Sequence, residues 1–456
     1  MRIRFDRGTL VLEPESSEED PSQFPGATWD ERSRAWRVPA ERHDEVLVRM
    51  ADVGVRPADN VTPERLGNEW SLPELRWYQQ AAIQRWETAG RRGVIALPTG
   101  SGKTLVALAA IARVGAAALC LVPTRVLLDQ WATALAACWP HPIGRLGDGD
   151  YQVAPITVAT YASATTWAPR IGDRFGLVVV DEAHHVGAWC PSEIFEMLAA
   201  PARLGLTATP PPPGGALGAR IGPVVYSLPV DALTGSALSD FDLVTVPVEL
   251  ERAERDRYHI LRSRFATVYA GLARALPGLS WSEFVRSASK SVDGRRALEA
   301  WRSYRSLLAY PEGKRAALHE LLQRHAGART LVFTPDNTTA YAIARELLVV
   351  PITHEIIRSE RTLMLDRFKT GEISVLVSSQ VLDEGFDIPD ADVAIIVGGS
   401  ASSRRHVQRV GRVLRPRPDK RAVVYELEVQ ETTEAGYVQR RRAGLTHAEP
   451  AMGGAP

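Results

Sequence analysis

Two short stretches of this 456-residue chain concentrate side chains able to do chemistry. The first is VVVDEAHH, residues 178–185, where branched apolar residues run straight into Asp181, Glu182, His184 and His185. A buried strand ending in four ionisable groups needs compensation, from a metal, a catalytic dyad or a nucleotide. The second is LPTGSGKT, residues 97–104, which follows an apolar strand-like run and precedes the helical pattern LVALAAIARV. Glycines at 100 and 102 let the backbone wrap and aim its N–H groups, while the helix start adds partial positive charge, so phosphate is the expected ligand. Thr99, Gly100, Ser101 and Gly102 would form the cradle, Lys103 would reach the β/γ phosphates, and the Thr104 hydroxyl would ligate Mg²⁺. The strict pattern has Gly where Leu97 stands, a departure at the edge of the loop.

A phosphate site gives the carboxylates a use. Asp181 at a strand end fits the Mg²⁺ shell, and Glu182 beside it fits a base that polarises attacking water. Zinc fits less well: a helical His-Glu-x-x-His spaces its ligands one turn apart, whereas His184 and His185 are adjacent and diverge. A solvated loop after a strand is the bland reading, and the upstream Gly-rich turn argues against it.

Elements must bring the two stretches together. From about 74 to 240, strand-like runs such as VIAL (94–97), LCLV (119–122), ITVAT (156–160), LVVV (177–180) and LGLTAT (204–209) alternate with helical segments. That alternation predicts a parallel sheet with helices on both faces. It resumes at LVFT (331–334), VLVSS (375–379), VAIIV (393–397) and VVYELEV (423–429), predicting a second α/β lobe. Residues 1–60 predict a small α+β domain: two strands, a hairpin in ATWDERSRAWRVP, then a helix. The expected domains are therefore 1–60, a first lobe at 66–247, a helical block at 248–325, a second lobe at 326–445 and a disordered tail at 446–456. Net charge is zero, so any nucleic-acid contact needs local basic patches rather than a global field. One such patch is the run Arg404, Arg405, Arg409, Arg412, Arg415, Arg417, Lys420 and Arg421. The cysteines, Cys120, Cys138 and Cys190, are isolated, and no secretory signal or membrane-spanning run is evident, so a cytoplasmic location is expected.

The motifs and their order resemble superfamily 2 helicases of the DEAH form, over about residues 74–440. LRWYQQAAI resembles the Q motif, which implies Gln79 as adenine reader. LVPTRVLLDQW and TVATYAS resemble the strand-contacting motifs that follow the phosphate loop, DEAH is motif II, and LTATP resembles motif III. LVFTPDN resembles motif IV. SSQVLDEGFDIPDAD resembles motif V, implying nucleotide-facing roles for Gly385 and Asp387. QRVGRVLRP resembles motif VI, which implies that Gln408, Arg412 and Arg415 reach the γ-phosphate from the second lobe. Within the superfamily the chain is most similar to XPB-type repair helicases. The N-terminal segment resembles their damage-recognition domain and the helical block occupies the place of their thumb. The Arg-Glu-Asp triplet that follows motif III in that group is absent: TATP runs into PPPGGALGAR.

The resemblance implies ATP and Mg²⁺, movement along single- or double-stranded DNA in the 3′→5′ direction, a repair role and a possible nuclease partner. Thr124, Arg125 and Thr160 in the first lobe, with Thr334 and Ser379 in the second, are the candidate backbone contacts, since a motor must ignore sequence. Each lone hydroxyl could equally cap a helix. Trp29 and Trp36, flanked by arginines, could stack on bases, but a hairpin Trp in so small a domain is more often core. Two other functions fit parts of the pattern: a duplex translocase subunit of a restriction or defence system that separates no strands, and a non-catalytic ATP-gated clamp. The clamp would tolerate loss of Lys103, Glu182 or Arg412, and all three are present.

Overall fold

Alternating short apolar runs and amphipathic helices build two parallel sheets. The computed structural model describes residues 1–16, 19–210, 212, 214–229, 232–233, 240–379, 391–398 and 421–436. Two units emerge, Met1–Leu228 and Pro229–Pro456.

The first unit opens with β1 (Arg2–Asp6) and β2 (Thr9–Glu13), an antiparallel pair turned at Arg7-Gly8. Both turn residues have positive φ, 52° and 85°, as a tight two-residue hairpin requires. The hairpin of β3 (Thr28–Asp30) and β4 (Ala35–Pro39) follows, then α1 (His43–Asp52) and β5 (Ala58–Asp59), in the order β3-β4-β2-β1-β5. Ile3, Leu10, Leu12, Val38, Val46 and Met50 are its buried core. Trp36 packs against that core, while Trp29 meets it edge-on at 5.7 Å and keeps 41% of its surface exposed.

This small domain is seated on the lobe that follows it. Arg203, wholly buried, donates to the carbonyls of Phe195 (3.0 Å), Leu198 (3.2 Å) and Arg220 (2.7 Å). Its guanidinium lies 3.6 Å from the Glu41 carboxylate, which also pairs with Arg220 at 2.6 Å. Arg220 pairs in addition with Glu196. Burial, with Arg92 nearby, pulls the Arg203 pKa down to about 10. Ala199 of the lobe completes the small domain's core.

The lobe itself contains α2 (Trp77–Thr88), β6 (Arg92–Ala96), α3 (Lys103–Val114), β7 (Ala118–Val122), α4 (Arg125–Ala136), β8 (Gly144–Gly147), β9 (Asp150–Gln152), β10 (Ile156–Thr160), α5 (Tyr161–Ile171), β11 (Leu177–Val180), α6 (Glu193–Glu196), β12 (Ala202–Thr207), α7 (Gly215–Arg220) and β13 (Val224–Ser227). The strands lie in the order β13-β6-β12-β11-β7-β10-β8-β9, parallel except for the β8–β9 hairpin. Strands β7, β10, β11 and β12 are buried along their whole length; β7 and β11 read as continuous apolar runs, while β10 and β12 bury Thr157 and Arg203 among theirs.

The second unit holds β14 (Asp240–Val248), α8 (Arg252–Ala275), α9 (Trp281–Ala288), α10 (Val292–Ala309), α11 (Glu312–Arg324), β15 (Thr330–Phe333), α12 (Asn337–Leu347), β16 (Val350–Ile352), α13 (Arg358–Thr370), β17 (Val375–Ser378), β18 (Val393–Ile396) and β19 (Arg421–Val429). Its sheet is parallel throughout, in the order β14-β19-β18-β15-β17-β16.

Two expected boundaries move. Strand β14 was expected in the first lobe, but all nine of its residues pair with β19. The helical block is also shorter than 248–325. Helices α8, α9 and α10 share an aromatic core of Tyr258, Phe265, Phe284 and Tyr304. Helix α11 instead buries Leu318 and Leu321 against the sheet. Lys314 on α11, fully buried, donates to the Leu308 carbonyl and to Glu434, both at 2.8 Å. Among the described residues no helix is long and apolar enough to cross a membrane.

Candidate nucleotide site

The first lobe's chemistry lies along one row, the carboxyl ends of β6, β12, β11, β7 and β10 taken in sheet order. The phosphate loop follows β6, Thr207 ends β12, Asp181 follows β11, Thr124 follows β7, and Thr160 ends β10. Ligands of parallel α/β sheets gather at this edge because the helix starts and strand-end loops converge there.

The loop itself is built for an anion. Gly100 and Gly102 take left-handed φ of 85° and 78°. Gly102 caps α3 and has no side chain to accept from the helix's first N–H groups, and the helix dipole makes that end electropositive. Ser101 closes the turn by donating its hydroxyl to the Pro98 carbonyl at 2.7 Å. The Lys103 ammonium folds back over the loop, donating to the carbonyls of Leu97 (3.1 Å) and Pro98 (3.3 Å). A phosphate would offer this ammonium a stronger, charged acceptor in their place.

Helix α2 braces the loop from behind. Gln79, 2% exposed, donates from Nε2 to the Ser101 carbonyl at 3.0 Å and accepts at Oε1 from the Arg76 backbone N–H at 2.9 Å. The Tyr78 hydroxyl donates to the same Ser101 carbonyl at 2.8 Å. Gln79 was expected to read a base; here its carboxamide is engaged with the loop's main chain.

The opening puzzle of four ionisable groups resolves locally. Asp181 is 9% exposed and accepts from Trp131 Nε1 at 2.8 Å and from the Glu182 backbone N–H at 3.0 Å. Burial raises its pKa, and the Trp131 N–H and the Lys103 charge work in the opposite direction. Tyr161 donates its hydroxyl to the Asp181 carbonyl. Glu182 sits at φ 48°, ψ 48°, a left-handed conformation costing about 1–3 kcal/mol in a residue with a side chain. The chain is held there by the neighbouring bonds, and the carboxylate stands 3.4 Å from His184 Nδ1. His184 Nδ1 also meets Thr207 Oγ1 at 3.0 Å, joining the β11 end to the β12 end. His185 stacks at 4.4 Å under Trp189, whose outer face is exposed. Among the described residues no group of three or more His, Cys, Asp or Glu side chains could hold a metal.

The expected strand contacts divide into two groups. Thr124 and Thr160 are helix caps, accepting from Leu127 N (3.3 Å) and Ser163 N (3.2 Å). Arg125 is exposed beside them and pairs with Asp148 at 2.7 Å. Thr334 and Ser379 of the second lobe are buried. The Thr334 hydroxyl donates to the Asp336 carbonyl at 3.0 Å, and the Ser379 hydroxyl donates to Asn337 Oδ1 at 2.5 Å. Those two hydroxyls are therefore committed within the lobe rather than offered to a strand. Gly385, Asp387, Gln408, Arg412 and Arg415 lie outside the described residues. Trp131, Tyr161 and Tyr78 were not singled out from sequence, yet they hold the reacting loops.

A parallel sheet carrying a glycine cradle after one strand and an Asp-Glu pair after another defines a phosphate-loop nucleotide hydrolase. Three family profiles match the chain: the type III restriction enzyme res subunit over residues 72–212, the helicase conserved C-terminal domain over 313–417, and the xeroderma pigmentosum group B helicase damage recognition domain over 3–61. The DNA 3′-5′ translocase XPB2 of Sulfurisphaera tokodaii is 34% identical, over 96% of this chain and 99% of its own length. The DNA 3′-5′ helicase XPB of Kineococcus radiotolerans is 32% identical over 81% of this chain and 62% of its own. The protein named putative DNA 3′-5′ helicase Rad25 of Halobacterium salinarum is 31% identical over 82% of this chain and 57% of its own. The chain thus spans nearly all of the first relative and somewhat over half of the other two. The solved Pyrococcus furiosus Hef helicase domain shares the fold at a TM-score of 0.54 and 20% identity, covering 81% of this chain and 98% of that one. The chain belongs to the XPB family of superfamily 2 helicases.

Proposed function

We propose that this chain is an ATP-driven 3′→5′ motor on DNA, acting in DNA repair. The observation that carries the reading is the meeting of Lys103 and Asp181 at one sheet edge. They come from separate strand ends, and the ammonium lies near enough to favour the ionised carboxylate.

Lys103 and the α3 N-terminus bind the β/γ phosphates, and Thr104 with Asp181 would hold Mg²⁺. When bound, that ion neutralises charge on the phosphate oxygens. Glu182 takes the proton of the attacking water and is oriented by its left-handed backbone. His184 and Thr207 carry the state of this site to the motif III strand end. By their motif positions alone, Arg412 and Arg415 would supply the guanidinium charge that stabilises the transition state, and Gln408, Gly385 and Asp387 would take the nucleotide roles that motifs V and VI imply. The strand lies along the outer half of the same edge, against Thr124, Arg125 and Thr160.

The match of residues 3–61 to the damage recognition domain, together with near-complete coverage of the archaeal relative, favours this reading over a restriction-system motor. Lys103 and Glu182, both set into the site, speak against a non-catalytic clamp. Whether strands are separated is tested by running a strand-displacement assay beside a triplex-displacement assay. The helicase reading expects activity in both, and activity on the triplex alone would make the chain a duplex translocase.

A further inference from the structure

The row of strand ends has two halves. The ends of β6, β12 and β11 carry the phosphate loop, Thr207 and Asp181, and the loops after β7 and β10 start the helices α4 and α5. Asp181 stands at the junction, and it is gripped from both of those helices. Trp131 lies on α4, two turns beyond the Thr124 cap, and its indole N–H bonds the carboxylate at 2.8 Å. Tyr161 is the first residue of α5, directly after the Thr160 cap, and its hydroxyl bonds the Asp181 carbonyl. It also reaches the Glu182 carbonyl at 3.4 Å. Both rings are buried, Trp131 at 2% and Tyr161 at 3% exposure. An indole can only donate and a carboxylate can only accept, so the Trp131 bond is oriented one way.

We propose that Trp131 and Tyr161 are positioning residues that transmit strand engagement at the starts of α4 and α5 to the hydrolytic carboxylates. A helix moves as a rigid rod over two turns, so a shift at Thr124 and Arg125 is delivered at Trp131. On α5 the lever is a single residue long. Asp181 is thus steered by its side chain from one helix and by its main chain from the other, and Glu182 follows because its backbone N–H is bonded to Asp181. The proposal rests on the DNA-motor reading and names the route by which DNA would switch that site on.

The test uses the full chain with Trp131→Phe and Tyr161→Phe, each deleting one donor and keeping an aromatic ring. Steady-state ATPase is measured against ATP and against duplex DNA, DNA affinity by fluorescence anisotropy, and folding by thermal unfolding. Both variants should lose about 10- to 100-fold in DNA-saturated kcat, the range for removing an outer hydrogen bond that orients a site group, here the Asp181 carboxylate for Trp131 and its main chain for Tyr161. The KM for ATP and the Kd for DNA should stay within about threefold. Unchanged kcat in Tyr161→Phe, the isosteric variant, overturns the proposal, as does a kcat loss matched by weaker DNA binding or early unfolding in both variants. Wild-type turnover indifferent to DNA would instead overturn the motor reading itself.

Discussion

Gly102→Ala offers a measurable consequence of the way α2 braces the phosphate loop. A Cβ at Gly102 would stand 2.6 Å from Gln79 Nε2, too close for contact, and the residue's φ of +78° disfavours any side chain. The left-handed conformation costs about 1–2 kcal/mol for an L-residue. Displacing Gln79 breaks its bond to the Ser101 carbonyl, worth about 1 kcal/mol. If the strain is expressed at the cradle, the sum of about 2–3 kcal/mol lowers kcat/KM for ATP roughly 30- to 150-fold. Gln79→Ala alone loses the same Ser101 bond and the bond to the Arg76 N–H, about 1–2 kcal/mol together. In the double variant the clash is gone and the shared bond is counted once. The cycle should therefore close with a favourable coupling of about 1 kcal/mol, about fivefold in rate. The assay is DNA-stimulated ATPase on all four proteins. Strict additivity would refute the reasoning, because it would mean that Gln79 does not lie on the loop. A Gln79→Ala loss confined to ATP, with another nucleotide triphosphate unaffected, would restore the base-reading role instead.

Arg203→Met should strip the donor from the carbonyls of Phe195 and Leu198 and leave Glu41 half-buried with Arg220 alone. Breaking a buried pair costs about 3–5 kcal/mol. At about 2–4 °C per kcal/mol for a unit of this size, the melting temperature should fall by roughly 6–20 °C in differential scanning fluorimetry; a change under about 2 °C would contradict the buried placement. Asp181 titrates above the usual carboxylate range, and Mg²⁺ needs its ionised form. The acid limb of the kcat/KM profile should therefore lie higher than an ordinary aspartate would give, and Trp131→Phe, removing a donor that favours the anion, should move it to still higher pH. Stability moves oppositely to activity: the folded value exceeds the unfolded one, so this carboxyl's contribution is fully present in acid and is lost as pH rises through the folded value. Glu182→Gln should retain ATP binding and lose turnover by about 10²–10⁴-fold, checked by equilibrium binding beside single-turnover hydrolysis.

Local chemistry and element type were legible in the sequence, because they rest on short-range pattern. The Gly-Ser-Gly-Lys-Thr turn, the Asp-Glu pair and the fully apolar strands β7 and β11 announce themselves within a few residues. Long-range pairing was not legible. Strand β14 has an ordinary strand composition, and only its register against β19 places it in the second sheet. Trp131 reads as a core residue on an amphipathic helix, and its partner Asp181 lies 50 positions away. Arg203, near the start of β12, carries no mark of being buried; Glu41 and Arg220 supply its partners from distant segments. For Thr334 and Ser379 the motif positions suggested strand contacts, but the hydroxyls are committed to neighbours that only the folded lobe assembles. For Thr124 helix capping and strand contact remain compatible, since a cap uses one lone pair of the hydroxyl oxygen, whereas the Thr160 hydroxyl also donates to Ser163 Oγ at 2.9 Å.

The central proposal is that Lys103, Asp181 and Glu182 bind and hydrolyse a triphosphate, with Arg412 in the transition-state role that its motif position implies. The most direct test is single-turnover ATP hydrolysis with saturating duplex DNA, comparing Arg412→Ala with wild type while nucleotide affinity is measured on the same proteins. The account predicts that hydrolysis falls by about 10³–10⁵-fold with ATP still bound. Hydrolysis by Arg412→Ala at the wild-type rate would contradict it.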